Sequence, residues 1–251
     1  MSSPSPDPAA PIRLRDAGEA ALVAEFGDRV DPALNDRVLA LDAALGVLNP
    51  AGLGERVPTY RSLMIHYDPL VLDRATLAAM VEALAREQAM QVPVHPRALW
   101  TIPCCYDPHF GEDLPQIAAA TGLRPDQVVA LHAGARYRLY MYGFAPGYCY
   151  LGGLPAALSK ISRRLTPRPP HPPNVVMMAG GLTSIATFSM PTGWQLLGRT
   201  PERMFALGRD PLVLMDVGDE LMFDPIDRST FEALEARAAA GEMVARREGP
   251  T

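Results

Sequence analysis

Lysine is almost missing from this 251-residue chain, since Lys160 is the only lysine among its 23 basic residues. A Walker A phosphate loop needs a lysine after its glycines, so that loop is excluded. A biotin-bearing lysine in an Ala-Met-Lys-Met-like context is excluded as well. A Schiff-base mechanism would have to use Lys160 itself. Because a Gly-x-Ser-x-Gly nucleophile elbow is also missing, we assign no catalytic nucleophile or general base.

Metal-binding motifs are missing too. No CxxC or HExxH spacing occurs, and the five histidines are scattered along the chain as His66, His95, His109, His132 and His171. We therefore predict no metal site. The three cysteines include an adjacent pair, Cys104 and Cys105, which disulfide geometry rarely joins, so we predict that these two and Cys149 are free and mostly buried.

The chain also lacks long apolar runs and an excess of positive charge. No run approaches the roughly 18 to 20 residues needed to cross a bilayer, and the net charge is -5. These absences argue against a membrane or a nucleic acid as partner. Residues 1–11 are rich in Ser, Pro and Ala, without the basic start and apolar core of a signal peptide. We predict a disordered tail there and a cytoplasmic protein.

Residues 12–92 are predicted to form a small α+β domain. Apolar periodicity predicts two helices, one capped by Asp31 and ended by Gly46, the other capped by Asp73. Alternating segments predict strands near 12–15, 20–26, 62–67 and 98–103. This order is typical of a ferredoxin-like split βαβ arrangement, with helices on one face of an antiparallel sheet. The segment 91–97, which contains two prolines, marks the crossing to a second domain.

Residues 98–240 are predicted to form a second, strand-rich domain. Short strands separated by Gly/Pro turns favour a barrel or a sandwich, and we predict them at 136–141, 175–179, 183–188, 194–197, 212–215 and 220–223. Two short helices precede these strands, and His132 ends the second, where a charged imidazole could cap the carbonyls. A last helix is predicted from Ser229 with a Ser229–Glu232 capping box, followed by a flexible tail at 241–251.

One stretch, residues 142–154, contains four glycines, one proline and four aromatic rings. We interpret it as a shaped turn at a strand end and not as an ordinary helix or strand. A structural corner is the more common role for such a turn. Two later arginines, Arg168 and Arg199, each lie beside a proline or glycine, where a guanidinium is well placed to hold an anion. They favour a ligand site.

These segments together resemble the family of 5-oxoprolinase B subunits, also called allophanate hydrolase subunit 1 or kinase inhibitor KipI. The residues that carry the resemblance are Tyr142-Gly143-Phe144-x-Pro146-Gly147-Tyr148-x-Tyr150-Leu151-Gly152-Gly153-Leu154, Thr166-Pro167-Arg168, Ala179-Gly180-x-x-Thr183 and Gly193-Trp194-Gln195-Leu196-Leu197-Gly198-Arg199-Thr200-Pro201. The resemblance implies a cyclophilin-like β-barrel as the second domain. It also implies one subunit of an ATP-dependent enzyme that opens 5-oxoproline to glutamate.

The resemblance further implies a site and partners. The substrate- or anion-binding set would be Arg168, Arg199, Trp194, Gln195 and Thr183. The pocket would be shaped by Gly143, Phe144, Pro146, Gly147, Tyr148 and Tyr150. ATP would be shared with a homologous 5-oxoprolinase C-type or allophanate hydrolase subunit 2-type chain, with an oxoprolinase A-type protein as a further candidate partner. The substrate would be a small amide or lactam.

The chain departs from the family pattern at two positions. Asn174 stands where the family usually has glycine, and Leu182 stands where it usually has glutamine. Both changes favour an alternative function, a non-catalytic module that binds a histidine kinase or another partner, because they remove polar reach from the site without disturbing the fold signals. A third possibility is a carboxyltransferase-type subunit of urea carboxylase or allophanate hydrolase systems, which would need a biotin-bearing partner.

Overall fold

The computed structural model describes residues 11–90 and 97–249. The chain divides into two compact units between His95 and Pro96. The predicted disordered tail, except for Pro11, and most of the predicted crossing segment lie outside the described residues.

The first unit is a four-stranded sheet with two helices. Its elements are β1 (Arg13–Asp16), β2 (Ala21–Glu25), α1 (Pro32–Leu48), β3 (Leu53–Pro58), β4 (Ser62–Tyr67) and α2 (Arg74–Met90). The sheet order is β1-β2-β4-β3, with all pairs antiparallel. Both helices pack against one core with the strands, through residues such as Leu41, Val81 and Ile65. The α+β prediction is confirmed.

Three details of this unit differ from the predicted elements. β3 was not predicted, because its Leu53 and Val57 are flanked by Gly, Glu and Arg and show little apolar alternation. The predicted last strand, at 98–103, pairs within the second unit. Helix α1 starts as predicted, since the Asp31 carboxylate accepts the Ala33 N–H at 2.8 Å. It passes through Gly46 and ends at Asn49, whose left-handed backbone (φ 38°) closes the last turn.

The second unit is a closed barrel with three helices. Its elements are β5 (Leu99–Cys105), α3 (Leu114–Thr121), α4 (Pro125–Ala133), β6 (Tyr137–Tyr142), β7 (Cys149–Gly152), β8 (Val175–Ala179), β9 (Leu182–Ala186), β10 (Gln195–Arg199), β11 (Glu220–Ile226), α5 (Arg228–Ala239) and β12 (Arg246–Glu248). The strand order is β10-β8-β9-β7-β6-β11-β5-β12, and β10 also pairs with β5. That pairing closes seven strands into a barrel and leaves β12 outside it. The predicted barrel is confirmed.

The barrel has apolar layers on both of its faces. Its interior holds alternate residues of each strand, among them Ile102, Leu139 and Val176. A second cluster lies against β8 and β10 and contains Val175, Met177, Ala179, Trp194 and Leu196, with Tyr148 and Ala186. This explains why β8 is buried along its whole length. The second cluster is the base of the candidate site.

Several predicted elements of this unit need correction. Residues 212–215 form no strand, and only Val213 makes an isolated bridge, to Phe205. Residues 246–248, which we assigned to a flexible tail, pair with β5 as β12. The Glu202 carboxylate fixes the approach to β12 by accepting the N–H groups of Val244 and Ala245. The cap of α5 is Asp227, which accepts the Thr230 N–H, in place of the predicted Ser229 box.

All three cysteines are free and buried, as predicted. Among the described residues, no three His, Cys, Asp or Glu side chains lie close enough together to hold a metal ion. Nor does any helix in the described ranges combine the length and apolar character needed to span a bilayer.

Candidate functional site

The glycine- and aromatic-rich stretch is a β-hairpin. β6 ends at Tyr142 and β7 begins at Cys149, so part of the stretch is a strand, contrary to our interpretation. The loop between them is closed by the Gly143 N–H, which donates to the Tyr148 carbonyl at 3.2 Å. Phe144 has φ 68°, a left-handed conformation that is strained for a residue with a bulky side chain. The loop thus holds one ring outward.

Four rings form a continuous row, which we call the aromatic row: Phe144, Tyr148 and Tyr150 from the hairpin, and Trp194, which directly precedes β10. Successive centroids lie 5.6, 5.0 and 6.4 Å apart. Tyr148 and Trp194 are buried, whereas Phe144 is 79% exposed. Burial raises the pKa of Tyr148 to about 12, so its phenol stays protonated at neutral pH. The row therefore works mainly as a rigid apolar wall.

The other predicted pocket-shaping residues fix this hairpin. The Pro146 carbonyl accepts the Thr187 hydroxyl at 2.7 Å. Gly147 has φ 68°, and a Cβ there would lie 2.4 Å from the Phe205 Cβ, so only glycine fits. Gly143, at the start of the loop, packs beside Met141 and Tyr150.

A cavity of about 560 Å³ lies between α3 and the segment 156–165, and we call it the basic cavity. Its lining includes Lys160, Arg163, Arg164, Gln116 and Gln195, and no Asp or Glu. The Arg163 guanidinium lies over the Trp194 ring at 5.4 Å, so the cavity joins the end of the aromatic row. Positive charge without carboxylates makes this cavity suited to an anion.

Gln195 is the predicted site residue in this lining, and it is 5% exposed. Its Nε2 donates to the Ser162 carbonyl at 3.2 Å. Because a carbonyl can only accept, this bond fixes the orientation of the side-chain amide. Its Oε1 is then left buried without a donor, a condition that costs about 1–3 kcal/mol.

Arg168 lies beside this site but is neutralised by acids. Its guanidinium pairs with Glu112 at 2.7 Å and with Asp113. Its backbone N–H donates to the Thr192 carbonyl at 2.8 Å, two residues before Trp194. Arg168 is outside the cavity lining, next to Arg164 of that lining through their shared partner Asp113, and its charge is already compensated.

Asp113 is the centre of this ion-pair network. One of its carboxylate oxygens accepts from Arg164 at 3.1 Å, and the other accepts from Arg168 and from the Leu196 N–H at 2.7 Å. The Asp113 N–H also donates to the Leu196 carbonyl. A carboxylate that is only 6% exposed therefore joins the start of α3, the segment 164–168 and β10. It makes no side-chain cap of α3.

Arg199 lies away from the basic cavity. Its Nε donates to the Pro173 carbonyl at 2.9 Å and its Nη2 pairs with Glu235 at 2.7 Å. The guanidinium lies over the rings of Phe110 and Phe231, at 5.7 and 5.2 Å. It lines a different cavity, of about 610 Å³, beside α5. These contacts favour a role in tying α5 to the barrel.

We therefore expect Arg199→Lys to lower the free energy of unfolding by about 1–2 kcal/mol, because lysine cannot keep both the Pro173 bond and the Glu235 pair. Urea denaturation would measure it. Arg228→Lys, in an exposed pair on α5, is the matched control and should change stability by less than about 0.5 kcal/mol. If Arg199→Lys left stability unchanged and weakened anion binding, Arg199 would be assigned to ligand binding and not to the attachment of α5.

Thr183 is also apart from the cavity, inside the barrel. It is fully buried, and its hydroxyl lies 3.4 Å from Nε2 of His132. Nδ1 of His132 meets the Tyr106 hydroxyl at 2.8 Å. Burial lowers the pKa of His132 to about 3, so the imidazole is neutral, contrary to the charged helix cap we expected. Desolvation outweighs the helix dipole here.

Sequence reasoning missed four charged residues of the site: Asp113, Lys160, Arg163 and Arg164. The three cations had a usable signal, because with Arg168 they place four basic residues in nine positions of a chain that has one lysine. Asp113 had none, since its arginine partners lie 51 and 55 positions away.

The structure also explains the two departures from the family pattern. Asn174 has φ 61°, and asparagine is one of the residues that tolerates this conformation in place of glycine. Leu182 is partly buried against the apolar cluster that contains Trp194. Both residues therefore fit the backbone and packing that surround them.

The chain is similar to a known protein family. A model of the carboxyltransferase domain, subdomain C and D, matches residues 12–215. The 5-oxoprolinase B subunit of Bacillus subtilis (strain 168) is 31% identical over 231 residues, which cover 88% of this chain and 95% of that protein.

Solved structures agree in fold. The crystal structure of TTHA0988 matches with a TM-score of 0.72 and 34% identity. The match covers 86% of this chain but only 40% of the TTHA0988 chain. Kluyveromyces lactis urea carboxylase has a TM-score of 0.76 and 17% identity, over 95% of this chain and 24% of that chain. At that identity the likeness shows the fold alone.

Proposed function

This chain belongs to the family of carboxyltransferase domains, subdomain C and D, and we propose that it is one subunit of a 5-oxoprolinase-type complex. The observation that carries the proposal is its similarity to a 5-oxoprolinase B subunit over 95% of that relative's length. The proposed reaction converts 5-oxo-L-proline, ATP and water to L-glutamate, ADP and phosphate in the cytoplasm. The proposed partners are a homologous C-type chain and an A-type protein of the same kind of complex.

The proposed reaction requires that the substrate is bound and that its lactam carbonyl is activated. Amide resonance makes a lactam hard to open, and ATP, when bound, would supply the phosphoryl group that turns the carbonyl oxygen into a better leaving group. The site on this chain fits the binding part of that task. Its cavity offers uncompensated positive charge for an anionic group, and the buried Trp194 ring backs the Arg163 guanidinium on its apolar side.

The reacting groups are expected on a partner chain. Burial raises the pKa of the Cys104 and Cys149 thiols, which disfavours their nucleophilic thiolate form. His132, a possible base, is fully buried inside the barrel. Among the described residues that line the basic cavity, no Cys, His, Asp or Glu is present. An incomplete catalytic set is a reason to propose that this chain acts only in a complex.

A second candidate is a carboxyltransferase-type subunit, which the description of the matching family favours. It would receive a carboxyl group from a biotin carried by another chain, because the single lysine here lies outside any biotin-attachment context. A biotin-bearing protein among its co-purifying partners would favour this candidate over the first.

We expect the purified chain alone to release no glutamate from 5-oxoproline and ATP, and to do so once its C-type and A-type partners are added. Glutamate release with matched ADP formation is the measurement. Omitting each partner in turn is the control. Rapid turnover by the isolated chain would contradict the proposal that it is an incomplete part of the enzyme, and an inactive full mixture would contradict the proposed reaction.

A further inference from the structure

The acids around the basic cavity neutralise only part of its positive charge. Arg164 and Arg168 together face two carboxylates, those of Asp113 and Glu112. These four groups therefore balance one another. The lining itself contributes no further carboxylate.

Two cations of the lining remain uncompensated, Lys160 and Arg163. Neither has a carboxylate within 4 Å among the described residues, and both are exposed to solvent. They lie three positions apart on one wall of the cavity. In a chain whose net charge is -5, an unpaired positive pair in a concave site attracts small anions more strongly than an open surface does.

Arg163 is oriented before any ligand binds. Its guanidinium lies over the Trp194 ring, and Trp194 is buried in the second apolar cluster. A guanidinium that contacts a ring in this way still has N–H groups available for an oxyanion. Little orientational freedom would then be lost on binding.

Lys160 is also held in place at its backbone. It lies between Leu158 and Ile161, which are both buried. The Ile161 N–H donates to the Leu158 carbonyl at 3.2 Å, and the Ile161 carbonyl accepts from Gly180 at 2.8 Å. The backbone at Lys160 is therefore fixed, and only its flexible side chain can adjust to a ligand. Its ammonium group would add a compact positive charge beside the Arg163 guanidinium.

Resting on the proposed function, we propose that Lys160 and Arg163 form an oxyanion-binding site of this chain, in place of the predicted pair Arg168 and Arg199. The ligand is the carboxylate of a small acid substrate or a phosphoryl group, both of which a guanidinium and an ammonium hold by charge-assisted hydrogen bonds. Arg164 lies in the same lining, but its charge is already paired with Asp113.

The test is isothermal titration calorimetry of the full chain with three probes: 5-oxoproline, inorganic phosphate and ATP. We expect Lys160→Gln and Arg163→Gln each to weaken the observed binding by about tenfold, the effect of losing one charge-assisted hydrogen bond. Binding should also weaken as salt is raised. Arg203→Gln is the matched control, since Arg203 is an exposed arginine that lines the other cavity, and it should bind as the unaltered chain does.

The three probes distinguish the sources of the oxyanion. Binding of 5-oxoproline without phosphate or ATP would assign the site to the substrate carboxylate. Binding of phosphate and ATP, each lost in the same variants, would assign it to a phosphoryl group. Circular dichroism and thermal melting of each variant would show that its fold is intact.

The proposal is overturned if the unaltered chain binds none of the probes at millimolar concentration, or if both variants bind as tightly as it does. Neither result would refute the proposed 5-oxoprolinase reaction, because the complex could bind its anion on another chain. The glutamate assay with all partners tests that reaction separately. Conversely, if oxyanion binding depends on Lys160 and Arg163 but the complete complex releases no glutamate, the proposed reaction is refuted and the oxyanion site is supported.

Discussion

Asp113→Asn should lower the free energy of unfolding by about 3–5 kcal/mol, the range found when one partner of a buried ion pair is removed. The substitution keeps the size of the side chain and removes its charge. It leaves the largely buried Arg168 with only the exposed Glu112 as a counter-charge. It also places an amide where two guanidinium groups and the Leu196 N–H all require an acceptor.

Urea unfolding followed by circular dichroism would measure this change. The matched control is Asp126→Asn, which removes a carboxylate from an ion pair whose two side chains are about two-thirds exposed. That change should leave the free energy of unfolding nearly unchanged, because solvent screens an exposed pair. If Asp113→Asn were no more destabilising than the control, the ion-pair network would contribute little to stability. Asp113 would then not be what holds Arg164 in the cavity lining.

Trp194→Ala should also be severely destabilising, by about 3–5 kcal/mol. The ring is 6% exposed and packs with Val175, Met177 and Leu196 on the outer face of the barrel. Its removal opens a cavity that rigid strand residues cannot fill. Because Arg163 lies over the same ring, we expect oxyanion binding to weaken together with stability.

Phe144→Ala is the control for this prediction, because Phe144 belongs to the same aromatic row but is 79% exposed. Its loss should change the free energy of unfolding by less than about 0.5 kcal/mol. Thermal and urea unfolding of the two variants would compare them directly. Equal effects would mean that the aromatic row is supported from the loop and not from the apolar cluster.

The sequence alone was enough to predict most of the regular structure. Helical periodicity and N-caps at Asp31 and Asp73 predicted both helices of the first unit, because those signals are local. Strongly apolar segments, such as the alternating β4 and the uniformly apolar β8, were predicted for the same reason. The family and the barrel followed from a motif whose glycines and aromatics lie within short segments.

Weakly patterned strands could not be predicted in this way. β3 carries Gly, Glu and Arg, and β7 lies inside a run of glycines and aromatics, so neither shows a clear period. They are strands because their neighbours β4, β6 and β9 offer backbone partners. Pairing of this kind depends on tertiary contacts and not on the strand's own residues.

The roles of the arginines were decided only by the tertiary structure. Arg168 and Arg199 looked alike in sequence, each beside a proline or glycine, yet Glu112, Asp113 and Glu235 compensate their charges. The unpaired cations, Lys160 and Arg163, lie in a basic run that matches no motif. Whether a cation is free for a ligand depends on which carboxylates the fold brings within a few ångströms, and those carboxylates come from positions far along the chain.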